Sequence, residues 1–360
     1  MGTALENRVR REAFWRNLRQ DYFASPAFSL ITVISVGALL LLVWQVVNWG
    51  LFDATFSPDA RQAECAAKGG ACWSVIANRW RIILFGLYPF PEHWRSGLAC
   101  LVVVVVVVLS CIPYFWTARR LSITWLVGYG TFYVLMKGGV LGLPLVREAQ
   151  WGGLALTLFI FTTMAVIGMP LSIAFALMRN SRLYWISRPM GVIIDGVRAL
   201  PNVSILFTFA VVLPFMMPDM LVGEKLYRVI AGFILFFAAY QAEIIRGGMQ
   251  AVAGGQEEAA KALGLSYRHR ISRIVLPQAF HSALPATINQ FVMFFMETTL
   301  VSIIGFSDLM SSARTAFSSG EWTFAFIEVY VFIAVIYFVF VFSLSRYGAY
   351  LERRMAVGSR

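Results

Sequence analysis

Three carboxylates lie in or beside long apolar runs of the sequence, and they are the side chains most able to do chemistry there. They are Asp195, Glu243 and Glu297. A charge within a membrane is unfavourable and normally faces protein or water, so such an acid pairs with a base, carries an ion, or binds a cationic group of a substrate. These three acids are therefore the first candidate sites.

Two of the acids have a basic partner one helical turn away. Asp195 precedes Arg198 by three residues, and Glu243 precedes Arg246 by the same spacing. Because residues three apart share a face of a helix, each acid can pair with the arginine that follows it. We expect both to be structural ion pairs at the cytoplasmic ends of membrane spans.

Glu297 has no such neighbour, and polar side chains surround it instead. An isolated carboxylate grouped with hydroxyls and amides can hold the ammonium group of an amino acid. A structural or inter-subunit ion pair is the alternative role for Glu297 and stays open. The substrate-pathway candidates are Glu297, Thr298, Thr299, Asn289 and Gln290.

Motifs typical of catalytic and metal sites are absent from the sequence. It contains no GxxxxGK[ST] phosphate loop, no HExxH and no paired CxxC. The three histidines, His93, His269 and His281, are scattered, so we expect surface or interface roles rather than metal ligation. We predict no catalytic residue, no metal and no cofactor bound by this chain, so energy for any uphill transport must come from a partner or an ion gradient.

The composition is that of an integral membrane protein. Of 360 residues, 59% are hydrophobic and only 14% are charged. The net charge of +11 comes from short basic clusters that flank apolar runs. That arrangement is typical of membrane topology and argues against nucleic-acid binding. We predict an all-α polytopic protein in contact with membrane lipid.

Eight apolar runs are long enough to span a membrane. Basic clusters at alternate joints place both termini in the cytoplasm, and the first run reads as a retained anchor rather than a cleaved signal. Cys65 and Cys72 then lie in a loop on the far side, where they either form a disulfide or are unrelated thiols. The predicted spans lie near 28–49, 97–116, 121–145, 152–178, 203–217, 227–245, 283–305 and 324–346.

A polar segment separates the sixth and seventh predicted spans. The stretch 256–263 is rich in helix formers, and Gly264 is placed to end this helix in a left-handed conformation. Ser266 can cap a second short helix that Pro277 limits. Small side chains allow the first helix to enter a groove on another protein, and Lys261 and two glutamates can make polar contacts at the edge of that groove. The residues concerned are Ala259, Ala260, Ala262, Glu257 and Glu258.

This segment resembles the EAA signature of ABC importer permeases at every fixed position. The matching residues are Glu258, Ala259, Ala260, Gly264, Ile274, Leu276 and Pro277. Further stretches resemble the polar amino-acid uptake branch of that family, which includes histidine and glutamine permeases. These stretches are 151–158, 195–201, 240–252 and 296–310. With three extra N-terminal spans, the chain is most similar to the M-type permease of general L-amino-acid transporters.

The resemblance implies a type I ABC importer permease core over 151–350, with a coupling loop at 254–277. Residues 1–150 would form an N-terminal cytoplasmic segment, three membrane spans and a periplasmic loop, and 351–360 a cytoplasmic tail. The implied location is the bacterial inner membrane.

The resemblance also implies the partners of an ATP-driven amino-acid importer. They are a second permease that shares the translocation path, two cytosolic ATPase subunits that hold ATP and Mg, and a periplasmic amino-acid-binding protein. The residues implied in ATPase coupling are Glu257, Glu258, Ala259, Ala260, Ala262 and Gly264. The alternative is a secondary amino-acid transporter driven by an ion gradient. The sequence leaves open which amino acids are carried and which permease binds them.

Overall fold

The structure of the protein is a computed structural model that describes residues 20–318 and 320–357. Its secondary structure is helical apart from one two-residue strand, β1, Ser307–Asp308. In chain order the α-helices are α1 Pro26–Val47, α2 Gln62–Lys68, α3 Ser74–Phe85, α4 His93–Cys111, α5 Ala118–Lys137, α6 Gly153–Arg179, α7 Tyr184–Ala199, α8 Asn202–Phe207, α9 Leu213–Met216, α10 Asp219–Val222, α11 Lys225–Gln250, α12 Gly254–Ala262, α13 Tyr267–Arg270, α14 Leu276–Glu297, α15 Leu309–Ser318 and α16 Phe326–Val357. The residues ahead of position 20 and after position 357, where the predicted N-terminal segment and the end of the predicted tail fall, lie outside the described part.

Six helical segments in the described residues are long and apolar enough to cross a membrane, and a bent helix pair makes a seventh if it is one span. These segments match six of the eight predicted spans. They are Pro26–Phe52, Phe90–Cys111, Gly153–Arg179, Lys225–Gln250, Tyr267–Ile304 and Phe326–Arg354. The fold is that of an all-α membrane protein, as predicted.

The two remaining predicted spans differ from a simple crossing helix. The third, predicted at 121–145, is the helix α5, which ends at Lys137 where Gly138 has a φ of +67°. The fifth is broken, because α7 and the segment Asn202–Met216 meet at a bend of 105°. Pro201 stands at that bend, and a proline disfavours helical backbone in the residue before it.

The chain falls into two compact units, which meet in sequence between Ala77 and Asn78. The first unit contains α1 and a small loop domain. In that loop Cys65 and Cys72 form a disulfide. The indole of Trp73 donates a hydrogen bond of 2.8 Å to the backbone oxygen of Gly50. The disulfide thus closes the loop on itself, and the Trp73 hydrogen bond ties it to the segment that follows α1.

The core of the second unit is built around α6, α11 and α14, and aromatic side chains fill it. The extra helices α4 and α5 share this core, since Phe132 of α5 stacks on Phe159 of α6 with ring centroids 5.0 Å apart. Arg95 of α4 is fully buried and donates a 2.7 Å hydrogen bond to the oxygen of Leu135. The predicted domain boundary at residue 150 therefore does not coincide with a break in the hydrophobic core.

Gly153 begins α6 at a position that requires glycine. Its φ is +59°, and a Cβ atom there would lie 2.0 Å from the backbone oxygen of Leu84. Gly153→Ala combines a left-handed backbone with a steric clash, so we expect a loss of roughly 3 kcal/mol or more in the free energy of unfolding. Thermal unfolding of the purified chain measures this effect.

Gly191 in α7 provides the matched control for that substitution. A Cβ atom at Gly191 would have no neighbour within 4 Å. Gly191→Ala is therefore expected to raise stability by roughly 0.5–1 kcal/mol through helix propensity. Equal melting temperatures for the two variants would contradict the close packing at Gly153.

Candidate functional site

The polar connector between α11 and α14, residues 251–275, forms two short helices and a turn. α12 ends in a Schellman motif, in which the N–H of Leu265 bonds the oxygen of Ala260 and the N–H of Gly264 bonds the oxygen of Lys261. Gly264 has a φ of +72°, as the predicted left-handed cap requires. The expectation that Pro277 limits the second helix is wrong. The π-helical turn Ile271–Val275 leads directly into α14, which tolerates a proline in its first turn.

The small residues of α12 do not share one environment. Ala260 is 2% exposed and packs inside the connector, whereas Ala259 and Ala262 are exposed. Ala260 thus differs from the prediction that all three alanines face a partner, because one side of α12 must cover the helical turn that follows it. Leu263, which the sequence reasoning missed, is 79% exposed and extends the outer face. An apolar residue just before the capping glycine is the signal that could have revealed it.

Glu257 was predicted to contact the edge of a partner's groove, but in the structure it forms ion pairs within this chain. Its Oε1 lies 3.1 Å from Lys261 Nζ, 3.8 Å from Arg182 Nη2 and 4.0 Å from Arg270 Nη2. The hydrogen bond from Lys261 lowers the pKa of Glu257, so the carboxylate is charged at neutral pH. Glu258 is exposed and remains available for contact with a partner. Arg182 lies between α6 and α7, so this cluster links that joint to the connector.

Glu243 of α11 is the centre of a second ion cluster near the same end of the helices. Its Oε2 lies 2.9 Å from Arg246 Nη2, as the spacing in sequence predicts, and 3.6 Å from Arg198 Nη1. Its Oε1 lies 3.1 Å from Arg179 Nε. The predicted pair of Asp195 with Arg198 is not formed. Asp195 instead accepts two hydrogen bonds, of 2.8 and 3.1 Å, from the guanidinium of Arg179. Such a bidentate pair is stronger than a single hydrogen bond, and Arg198 of the same helix does not form one with Asp195.

Glu297 lies at the end of α14, half-buried, and its partner comes from a distant part of the chain. Asn202 Nδ2 donates a hydrogen bond of 2.7 Å to Glu297 Oε2. The Oδ1 atom of Asn202 is buried and accepts no hydrogen bond. The carboxylate and this amide oxygen together offer acceptors to a cation. Asn202, which was not among the predicted residues, follows the proline at the helix bend, and a polar residue at that break was its only sequence signal.

The other predicted pathway residues, on α14 and in the turn that follows it, differ in their exposure. Asn289 is exposed on the same stripe as Glu297, eight residues and hence roughly 12 Å along the axis. Gln290 and Thr298 are buried, and the Thr298 hydroxyl donates to the oxygen of Phe295. Thr299 lines a shallow depression on the α16 side. The structure therefore joins Glu297 to Asn202, and no hydrogen bond among the described residues joins it to Asn289, Gln290, Thr298 or Thr299.

No histidine takes part in the ion pairs described above, although His269 lies in the connector. His93 is buried with its Nε2 atom 2.9 Å from the oxygen of Tyr88, and His269 contacts Ser266. Among the described residues, no group of three histidine, cysteine or acidic side chains is placed to hold a metal ion.

Comparison with known proteins places these features in one family. Residues 168–357 match the family model described as "Binding-protein-dependent transport system inner membrane component". The chain is 37% identical to the inner membrane amino-acid ABC transporter permease protein YhdY of Escherichia coli (strain K12), over 95% of this chain and 93% of that protein. It is 31% identical to the glutamate/glutamine/aspartate/asparagine transport system permease protein BztC of Rhodobacter capsulatus, over 94% of this chain and 93% of that protein.

One solved structure described as an amino acid ABC transporter with histidines is also similar. It is 32% identical to this chain and covers 56% of this chain and 92% of its own, with a TM-score of 0.49.

Proposed function

Because this chain belongs to the binding-protein-dependent transport system inner membrane components, the permeases of ABC transporters, we propose that it is one of two permeases in an ATP-driven amino-acid importer. The observation that carries this proposal is the outer face of α12. Exposed Ala259, Ala262 and Leu263 form a small apolar knob on a short helix outside the predicted spans. Such a helix suits a groove on a cytosolic ATPase.

The contacts of the connector suit it to pass a movement of α12 on to the neighbouring helices. The helix α11 leads into it, and α13, the π-helical turn and α14 lead out of it without a break in helical structure. Glu257 ties α12 to Arg182 and Arg270, and Glu243 ties α11 to α6 and α7 through their arginines. A displacement of α12 by two closing ATPase subunits would therefore move whole helices and alternate access to the translocation path.

The orientation of the chain in the membrane follows from the same proposal. An ATPase that uses cellular ATP places the connector in the cytoplasm, and α16 then ends on the cytoplasmic side as well. The positive-inside rule supports this, since Arg179, Arg182, Arg246 and Arg270 lie in the connector or at the helix ends next to it. The loop closed by Cys65 and Cys72 would lie in the periplasm, where disulfides persist.

The proposed substrate path runs along the exposed stripe of α14. Asn289, Met293, Met296 and the half-buried Glu297 occupy this stripe. Glu297 Oε2 and the unpaired Asn202 Oδ1 provide acceptors that suit an ammonium group. The second permease would cover the stripe and complete the path. Transport of amino acids, named for both relatives described above, agrees with such a site.

Glu297→Gln tests this contact while it preserves side-chain size. Removal of the negative charge should raise the apparent KM for every amino acid carried by roughly tenfold or more, because a charged hydrogen bond contributes roughly 1.5–3 kcal/mol. Uptake by the reconstituted transporter with several amino acids measures the effect. Thr299→Val, on the α16 side of the helix, is the matched control and should leave KM unchanged. An unchanged KM for Glu297→Gln would exclude the ammonium contact.

The proposed function itself is tested by purification and hydrolysis assays. A tagged form of this chain should retain a second permease and a cytosolic ATPase, and the complex should hydrolyse ATP faster when a substrate-loaded binding protein is added. Uptake into proteoliposomes that proceeds from an ion gradient without ATP would overturn the proposal in favour of a secondary transporter.

A further inference from the structure

An apolar groove opens on the side of the second unit where α4, α6 and α16 meet. It encloses about 360 Å³, a volume within the range of roughly 300–1,000 Å³ that ligand sites occupy. Its walls are almost wholly hydrocarbon. They include Val104, Val107, Val108, Phe161, Val339 and Leu344. Such a surface fits a hydrocarbon chain rather than a polar solute.

Polar groups stand at one end of this groove. There the Tyr347 hydroxyl donates a hydrogen bond of 3.1 Å to the oxygen of Cys111, and both residues line the groove. One turn or two further along α16, the guanidinium carbon of Arg354 lies 5.4 Å from the centre of the Trp116 ring. Trp116 follows α4 and Arg354 is on α16, so a basic and an aromatic side chain meet beyond the end of the groove that Cys111 and Tyr347 line.

A second arginine, four residues after Trp116 in sequence, is also held against an aromatic ring. The guanidinium of Arg120 lies 4.0 Å from the Tyr114 ring, and its Nη1 atom donates to the Tyr114 oxygen at 2.9 Å. A guanidinium has five N–H donors arranged to bind phosphate oxygens, and the described hydrogen bonds of Arg120 and Arg354 use one nitrogen of each. Both side chains are exposed and retain donors for an anion.

We propose that this groove binds an anionic phospholipid, with an acyl chain between α4 and α16 and its phosphate at Arg354 and Arg120. Charge complementarity selects an anionic headgroup over a zwitterionic one, since basic residues near a membrane surface attract anionic lipids. Tryptophan and tyrosine are typical of the headgroup level at which the phosphate would lie. The bound lipid would join the extra helices α4 and α5 to the last span of the core. The leaflet concerned rests on the orientation proposed above, whereas lipid binding by the purified chain does not.

Native mass spectrometry of the full-length chain, titrated with phosphatidylglycerol or phosphatidylethanolamine of identical acyl chains, tests the site. The wild-type chain should bind phosphatidylglycerol more tightly. Arg120→Ala and Arg354→Ala should each weaken this binding roughly fivefold and weaken the binding of phosphatidylethanolamine less, because its ammonium group offsets the charge of its phosphate. Arg119→Ala and Arg353→Ala, at exposed neighbouring positions, are the matched controls and should change neither affinity.

A second pair of variants tests the acyl-chain part of the site. Val108→Trp fills the groove and should weaken binding of both lipids, whereas Val105→Trp lies on another exposed side of α4 and should weaken neither. Free inorganic phosphate at millimolar concentration should not displace phosphatidylglycerol. Equal affinity of the wild-type chain for both lipids, equal losses in the control arginine variants, displacement by free phosphate, or a protein segment that occupies the groove would each overturn the proposal.

Discussion

Ala259→Trp is expected to abolish ATP-coupled uptake while the transporter still inserts into the membrane. Ala259 is exposed on α12, so a larger side chain there leaves the fold of this chain intact. A groove that fits an alanine would have to accommodate an indole, and overpacking of that kind destabilises by roughly 1–3 kcal/mol. Docking of the ATPase should weaken roughly tenfold or more. Uptake by the assembled complex and retention of the ATPase during purification measure the effect.

The control for this substitution is Ala67→Trp. Ala67 is likewise exposed on a short helix, but that helix belongs to the loop near the Cys65–Cys72 disulfide. Uptake should be close to wild type in this variant. Wild-type uptake by Ala259→Trp in the assembled complex would show that the outer face of α12 does not dock the ATPase.

Glu243→Gln is expected to cause a large loss of stability. The Glu243 side chain is only 12% exposed and neutralises arginines from three helices. Its loss leaves Arg198 and Arg246 near one another without a shared carboxylate, and removal of one partner from a buried ion pair costs roughly 3–5 kcal/mol. We expect a clear fall in melting temperature and, because the cluster links α11 to α6 and α7, a loss of coupled transport.

Asp195→Asn serves as the matched control for the cluster. The Asp195 side chain is 58% exposed and pairs with Arg179, which Glu243 also contacts. Exposed ion pairs contribute roughly 0–1 kcal/mol, so the melting temperature should change little. If Asp195→Asn lost as much stability as Glu243→Gln, the claim that Glu243 is the main stabilising carboxylate of this cluster would be wrong.

The sequence allowed prediction of those features that depend on local patterns. Apolar length located the spans, and six of the eight match helices long enough to cross a membrane. Gly264 has the predicted left-handed conformation, because a capping glycine acts through its own backbone. Glu243 and Arg246 contact each other, because their spacing of three residues places them on one helix face.

Features that depend on contacts between distant helices could not be predicted in this way. Asn202 and Glu297 are 95 residues apart in sequence, and Arg179 reaches Asp195 from another helix. Ala260 is buried because the π-helical turn packs beneath α12. No residue type in the sequence predicts that packing. Local spacing therefore indicated which residues matter, and tertiary packing determined their partners.

Cross-linking from position 262 tests the central claim most directly. Ala262 is exposed on the outer face of α12, and a photo-reactive amino acid in its place should lie against the ATPase in the assembled transporter. We predict a covalent adduct between this chain and the ATPase subunit from position 262 and none from position 67. A complex that is active in uptake but gives no adduct from position 262 would contradict the assignment of α12 as the coupling helix.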